Sequence, residues 1–229
     1  MSTSTDSNVA LRALIVLGLI GFATYVAADR GLLALLLRSD QSYISYLILG
    51  LYVLASLHWL WLAYQLGEER RRFGQLEHEL SEGESDLSRY EIGLVGSFMR
   101  NWREKGGRGD ASALLTAFGD ELVNRHAFGH FASDALLKLG LLGTVVGFIL
   151  MLLPVAELSE FSASLMQQLL RSMSGGMAVA LYTTLAGLVT STLLRLQYHI
   201  LDASAADLAT RLSVLTDVRL GKPPSPHAP

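Results

Sequence analysis

Four apolar blocks, separated by polar stretches, dominate the hydropathy pattern of the chain. They cover residues 9–28, 43–66, 136–156 and 172–194, and each is almost free of charged side chains. Each block reaches the roughly 20 residues that a helix needs to cross about 30 Å of hydrocarbon. The pattern therefore predicts an all-α integral membrane protein with four transmembrane helices.

The first block has two interpretations. Arg12 precedes an apolar core that ends in small residues at Val26 and Ala28, as a signal-peptidase site does. The block is longer than an ordinary signal core and has a thin basic region before it, which favours a retained anchor over a cleaved signal peptide. The stretch after it, "RGLLALLLRSD", is a candidate for the membrane surface.

The polar parts of the chain are also compatible with helices. Apolar residues recur at helical spacing through the loop between the second and third blocks, and "EKGGRGD" interrupts the pattern. The pattern resumes before the third block and continues after the fourth, so the last two helices are expected to extend into the cytoplasm. The predicted division is 1–66 for the first pair of spans, 67–135 for a cytoplasmic helical loop, 136–216 for the core with the last two spans, and 217–229 for a disordered tail.

The distribution of basic residues predicts the orientation. Nine of the 18 Lys and Arg residues lie between Gly67 and Leu136, and four more follow the last block. Positive residues favour the cytoplasmic side, which predicts a multi-pass membrane protein with the long loop and both termini in the cytoplasm. His58 then lies near the inner interface, and its aromatic neighbours favour a residue of the aromatic belt over a proton relay.

Composition excludes several kinds of site. The chain has no cysteine, and its net charge of −3 gives no indication of nucleic-acid binding. No metal-ligand cluster, nucleophile motif or phosphate loop is present, so neither an enzyme nor a bound cofactor is expected. None of the four blocks contains Asp or Glu. Because intramembrane carboxylates usually carry the ion, a transported H⁺ or Na⁺ would need a carboxylate from another chain.

Small residues form a face on each of the last two predicted spans. The third block contains "GLLGTVVG", with Gly140, Gly143, Thr144 and Gly147, and the fourth has Gly176, Ala180, Thr183 or Thr184, and Gly187. Such spacing lets helix backbones approach closely in a bilayer. For the glycines we expect helix packing. The hydroxyls of Thr144 and Thr184 could bond only their own helix, but their position in the middle of small-residue faces makes that interpretation weaker for them than for the glycines.

The two stretches "LGLLGTVVG" and "GGMAVALYTTLAGL" resemble the paired signature of the MotA/TolQ/ExbB proton-channel family, over about residues 130–215. The four-span layout is similar to the flagellar-stator branch of that family. Two positions depart from the family pattern: Leu137 stands where many members have a proline, and Val179 where TolQ and ExbB have a Glu. The resemblance therefore implies the family but no branch.

The resemblance implies a homopentameric ring around a dimer of MotB-, TolR- or ExbD-like partners, each of which has a single span and reaches into the periplasm. The partner would carry the ion-binding Asp, and Thr144 and Thr184 would correspond to the family's pore hydroxyls. The function implied is that of a motor subunit, in which H⁺ or Na⁺ flow moves the partner. The alternative left open is a four-helix membrane scaffold without ion flux.

Overall fold

The computed structural model of the chain describes residues 8–40, 42–82, 93–104, 112–156 and 163–216. Within these ranges the regular structure is helical: α1 (Asn8–Asp29), α2 (Leu32–Ser39), α3 (Ile44–Glu82), α4 (Leu94–Glu104), α5 (Ser112–Ala156) and α6 (Ala163–Leu215). The tail predicted to be disordered, 217–229, lies outside the described residues.

Among the described helices, four are long and apolar enough to cross a membrane, namely α1, α3, α5 and α6. They contain the four apolar blocks, so the prediction of an all-α chain with four candidate spans is confirmed. The polar stretches next to the blocks continue the same helices: α3 runs on to Glu82, α5 starts at Ser112, and α6 ends at Leu215. The segment that was a candidate for the membrane surface contains the short helix α2.

The chain divides into two compact units, and the boundaries between them fall inside the long helices. The span unit consists of Ile15–Trp59 and Phe128–Tyr198, and the second unit of Met1–Leu14, Leu60–Ala127 and His199–Pro229. The expected division at 66 and 135 falls inside α3 and α5, and those boundaries stay predictions.

In the span unit, large apolar side chains are exposed on every long helix, as expected where a helix faces lipid. Phe22, Leu54, Leu141 and Leu181 are each more than half exposed. The buried side of the unit combines small and polar residues with large apolar ones such as Trp59. The small and polar residues allow close approach and hydrogen bonds between helices, which drive helix association where hydrocarbon cannot do so by excluding apolar groups.

The start of α3 is fixed by Asp40. Its carboxylate accepts hydrogen bonds from the backbone N–H of Ser42 at 2.8 Å and of Ser45 at 2.6 Å, and from the Ser42 hydroxyl at 2.5 Å. The carboxylate thus accepts hydrogen bonds from N–H groups at the start of α3, where the first turn of a helix has no intrahelical acceptor for its N–H groups. Asp40 thereby joins the connection after α2 to the helix that follows.

The second unit has an aromatic and aliphatic core of its own. Phe73 on α3 is buried, and the rings of Phe98 on α4 and Phe118 on α5 meet edge to face with centroids 6.0 Å apart. The carboxylate of Glu69 on α3 accepts the backbone N–H groups of Leu94 at 3.1 Å and Val95 at 3.3 Å, which caps the first turn of α4. The amphipathic pattern of the polar loop is thus explained over its described part.

Helix α6 buries positions that repeat every seven residues, a period that sequence analysis did not identify. The positions form two rows, one polar and one mainly leucine, and all their members are buried. The polar row consists of Thr183, Thr190, Gln197 and Ser204, and the other row of Gly187, Leu194, Leu201, Leu208 and Leu215. A seven-residue spacing keeps one seam of a helix against its neighbours. The signal was present in the sequence as the regular spacing of small hydroxyl and amide residues.

Candidate ion-pathway site

The backbones of α5 and α6 touch at Gly140 and Gly187. A Cβ added to Gly140 would lie 3.0 Å from the Cα of Gly187, and one added to Gly187 would lie 2.7 Å from the Cα of Gly140 and 2.8 Å from the carbonyl oxygen of Leu136. No side chain fits between backbones at these distances. Glycine is therefore required at both positions for the helices to keep this approach.

The contact continues toward the end of α5. A Cβ at Gly147 would lie 2.6 Å from the backbone nitrogen of Ala180 and 2.7 Å from the carbonyl oxygen of Gly176, and one at Gly176 would lie 2.6 Å from the backbone nitrogen of Met151. Gly143 faces the side chain of Thr183 instead of backbone. The structure thus brings the six small residues singled out for packing into one seam between two helices of the same chain.

The two neighbouring threonines of α6 have different surroundings. Thr183 is fully buried, at 0% exposed, and its hydroxyl donates to the carbonyl oxygen of Val179 at 2.8 Å. Thr184 is only half-buried, and its hydroxyl reaches the carbonyl oxygens of Ala180 at 2.9 Å and of Gly140 on α5 at 3.2 Å. Because Thr183 also packs against Gly143, it has no exposed side to offer an ion.

Thr144 on α5 is half-buried as well. Its hydroxyl donates to the carbonyl oxygen of Leu141 at 2.5 Å on the same helix. The bonds of Thr144 and Thr184 therefore use the hydroxyl proton and leave lone pairs on both oxygens. A hydroxyl carries one donor and two acceptor positions, so each of these oxygens can still accept a proton donor or contact a cation.

Polar and aromatic side chains form a cluster beside this seam. The Nδ1 atom of His58 on α3 lies 2.9 Å from the hydroxyl of Tyr198 on α6, and its ring meets Phe128 edge to face at 5.0 Å. Tyr198 is fully buried and occupies the space left by Gly129 on α5. His58 thus has aromatic neighbours, as expected, and also a polar partner on another helix, which the sequence did not reveal.

An exposed ion pair joins α5 and α6 within the same unit. The guanidinium of Arg195 donates to the carboxylate of Asp134, where both side chains are more than half exposed. Asp134 precedes the third apolar block and Arg195 follows the fourth, so the pair lies at the same end of both spans. Asp134, the carboxylate closest in sequence to the small residues of the seam, is therefore already in an ion pair.

The spacing of small residues predicted helix packing at the glycines of this seam, whereas the family resemblance assigned Thr144 and Thr184 to an ion pathway, which stays a prediction. Residues 125–213 match the model of the MotA/TolQ/ExbB proton channel family. The match confirms the predicted resemblance over a segment that takes in most of the span portion of α5 and α6. No curated protein and no solved structure matches the chain. With its four candidate spans and this channel segment, the chain is a membrane protein.

Proposed function

We propose that this chain is the channel subunit of an ion-driven motor complex in the bacterial inner membrane. Several copies, five in the arrangement that the family resemblance implies, would surround a single-span partner of the MotB, TolR or ExbD kind and move it as H⁺ or Na⁺ passes. The observation that carries the proposal is the family match over residues 125–213, which covers the α5–α6 seam.

The absence of intramembrane carboxylates in this chain supports a partner that supplies one. None of the four apolar blocks contains Asp or Glu. A carboxyl group on the partner, surrounded by apolar helices, would favour its neutral form because burial penalises the charge. Binding and release of an ion at that carboxyl would then change the charge of the partner helix.

The hydroxyls of Thr144 and Thr184 would serve the ion on its way to that carboxyl. Since their protons are directed at carbonyl oxygens of α5 and α6, their lone pairs can partly replace the water that the ion loses. The membrane potential supplies the driving force, about 2.3 kcal/mol for each elementary charge that crosses 100 mV.

The test compares Thr184→Val with Thr183→Val. Valine has nearly the shape of threonine but no oxygen, and a hydrogen bond to a charged group contributes about 1.5–3 kcal/mol. Thr184→Val should therefore lower partner-dependent ion flux in proteoliposomes about tenfold or more, and Thr184→Ser should retain part of the flux. Expression and oligomer mass should stay unchanged in both variants.

Thr183→Val is the matched control, since Thr183 is buried against Gly143 and cannot reach an ion. It should keep the flux of the wild type. If Thr183→Val abolishes flux and Thr184→Val does not, the pathway lies on a different face of α6. If neither variant lowers the flux, the hydroxyls have only a packing role and the scaffold alternative gains support.

A further inference from the structure

A fully buried amide lies between α3 and α6 in the span unit. Gln197 is 0% exposed, and its Oε1 accepts a hydrogen bond from the Ser56 hydroxyl of α3 at 3.2 Å. Its backbone carbonyl oxygen accepts the indole N–H of Trp59 at 2.6 Å. Within the described ranges, the Nε2 atom of Gln197 has no hydrogen-bond partner.

A second buried polar group belongs to the same place. The hydroxyl of Tyr52 is inaccessible to solvent and has no hydrogen-bond partner among the described residues. Tyr52 precedes Ser56 by four residues on α3, so the two side chains share one face of the helix. Tyr52 and Gln197 therefore flank one hydroxyl from two helices.

Leaving such groups without a partner is unfavourable in any protein interior, and more so where lipid surrounds the helices. Buried waters usually make two to four hydrogen bonds to polar groups of this kind. We propose that one ordered water molecule binds between α3 and α6 and bridges the Gln197 side-chain amide to the Tyr52 hydroxyl, beside Ser56.

The chemistry of the three side chains selects water over an ion. Nε2–H is a donor, so the ligand must accept a hydrogen bond, which a cation cannot do. An anion would need a positive group, and the three side chains that line the site are neutral. The Tyr52 hydroxyl can donate or accept, and water does both, so a water molecule satisfies either orientation of the amide.

The bound water connects the family segment to a helix outside it. Gln197 lies within residues 125–213, whereas Tyr52 and Ser56 lie on α3, before that segment. Ser56 and Trp59 of α3 already donate hydrogen bonds to Gln197 of α6, and the water adds a further polar contact at the same residue. We expect this hydrated contact to hold α3 in register with α6.

Water-edited solid-state NMR of the protein in lipid bilayers tests the site directly. In the wild type, water should polarise the Gln197 side-chain amide as fast as that of the exposed Gln168, although Gln197 is buried. The signal is assigned by its loss in Gln197→Leu. In Tyr52→Phe, which removes one partner of the water, the Gln197 signal should fall to the level of the buried backbone amide of Leu194.

Tyr64→Phe is the matched control, since Tyr64 lies on the same helix and is 75% exposed; it should leave the Gln197 signal unchanged. Two results would overturn the proposal. One is a wild-type Gln197 amide that water polarises no faster than the amide of Leu194. The other is a Tyr52→Phe variant that keeps the full Gln197 signal. Neither result bears on ion flux, so the site is judged independently of the proposed function.

Discussion

Two adjacent threonines show what a single residue contributes at the α5–α6 seam. Thr183 fills the space beside Gly143, whereas Thr184 stays half-buried with its hydroxyl directed at carbonyl oxygens of α6 and α5. Sequence analysis located the small-residue face but left Thr183 and Thr184 as alternatives for its packing position. One residue turns the side chain by about 100°, and only the position of the neighbouring helix decides which hydroxyl is enclosed.

The contact between His58 and Tyr198 also lay beyond sequence analysis. The two residues are 140 positions apart, and their pairing depends on how α3 lies against α6. Nothing in the local pattern around His58 distinguishes a residue of the aromatic belt from one that bonds a tyrosine hydroxyl. Gly129 was equally unremarkable in the sequence, although the Tyr198 ring occupies the space where its side chain would be.

Asp40 gives a prediction about pH. Burial raises the pKa of its carboxyl, but hydrogen bonds from the Ser42 hydroxyl and the N–H groups of Ser45 and Ser42 outweigh that effect and hold the pKa below its ordinary value. The stabilisation is therefore fully present above the ordinary Asp pKa and is lost as pH falls through the lowered one. Both carboxylate oxygens accept hydrogen bonds, and an asparagine has only one acceptor oxygen, so Asp40→Asn should destabilise the protein at pH 7 by about 1 kcal/mol, the usual net contribution of one hydrogen bond.

Thermal unfolding in detergent at pH 7 and at pH 3 measures this effect. The difference in Tm between the wild type and Asp40→Asn should shrink at pH 3, because this pH lies below the ordinary pKa of an Asp carboxyl and the stabilisation from the charge is then being lost. Asp120 is exposed, so Asp120→Asn is the control, and its Tm should equal that of the wild type at pH 7 and at pH 3. A difference for Asp40→Asn that is the same at both pH values would show that the charge of Asp40 has no role in capping α3.

At the scale of elements, the apolar blocks predicted the spans well because length and hydropathy alone decide whether a helix can cross hydrocarbon. The helices themselves are longer than the blocks. α6 has 53 residues, about 80 Å at 1.5 Å per residue, which far exceeds a hydrocarbon core. Its polar continuation was predicted from helical spacing. The seven-residue repeat along its buried seam was missed because the polar row lies among other hydroxyl residues and the leucine row among many other apolar residues of α6.

The glycine seam predicts the effect of a bulky side chain. The leucine of Gly187→Leu would meet the backbone of Gly140, and that of Gly143→Leu would meet the side chain of Thr183. In both variants α5 and α6 must move apart. Each variant should lower Tm and break the oligomer, because the seam shapes the segment that the ring is proposed to use. Native mass spectrometry of the purified protein measures the oligomer.

Gly21→Leu is the control for the same change of residue, since nothing lies within 4 Å of a Cβ at Gly21 on α1. It should keep the oligomer mass and Tm of the wild type. Intact oligomers for both Gly143→Leu and Gly187→Leu would mean that the close approach of α5 and α6 is not needed for assembly.

At the scale of the whole molecule, the proposed ion pathway has no carboxylate from this chain. The sequence and the structure supply hydroxyl oxygens and a close-packed helix pair, whereas the apolar blocks contain no Asp or Glu, and the proposal therefore assigns the ion-binding carboxylate to a second chain. The sequence is enough for this part of the proposal, because the absence of Asp and Glu from the blocks can be read directly from it. It could not predict the arrangement of copies around a partner, which depends on contacts between chains.

Ion flux with and without the partner tests the central claim most directly. Proteoliposomes that contain this chain alone should show no voltage-driven H⁺ or Na⁺ flux above that of empty liposomes. Flux should appear when the chain is reconstituted with a single-span partner that carries an intramembrane Asp, and should disappear again when that Asp is changed to Asn. Strong flux from this chain alone, or no flux from an assembled complex with the intact partner, would contradict the account.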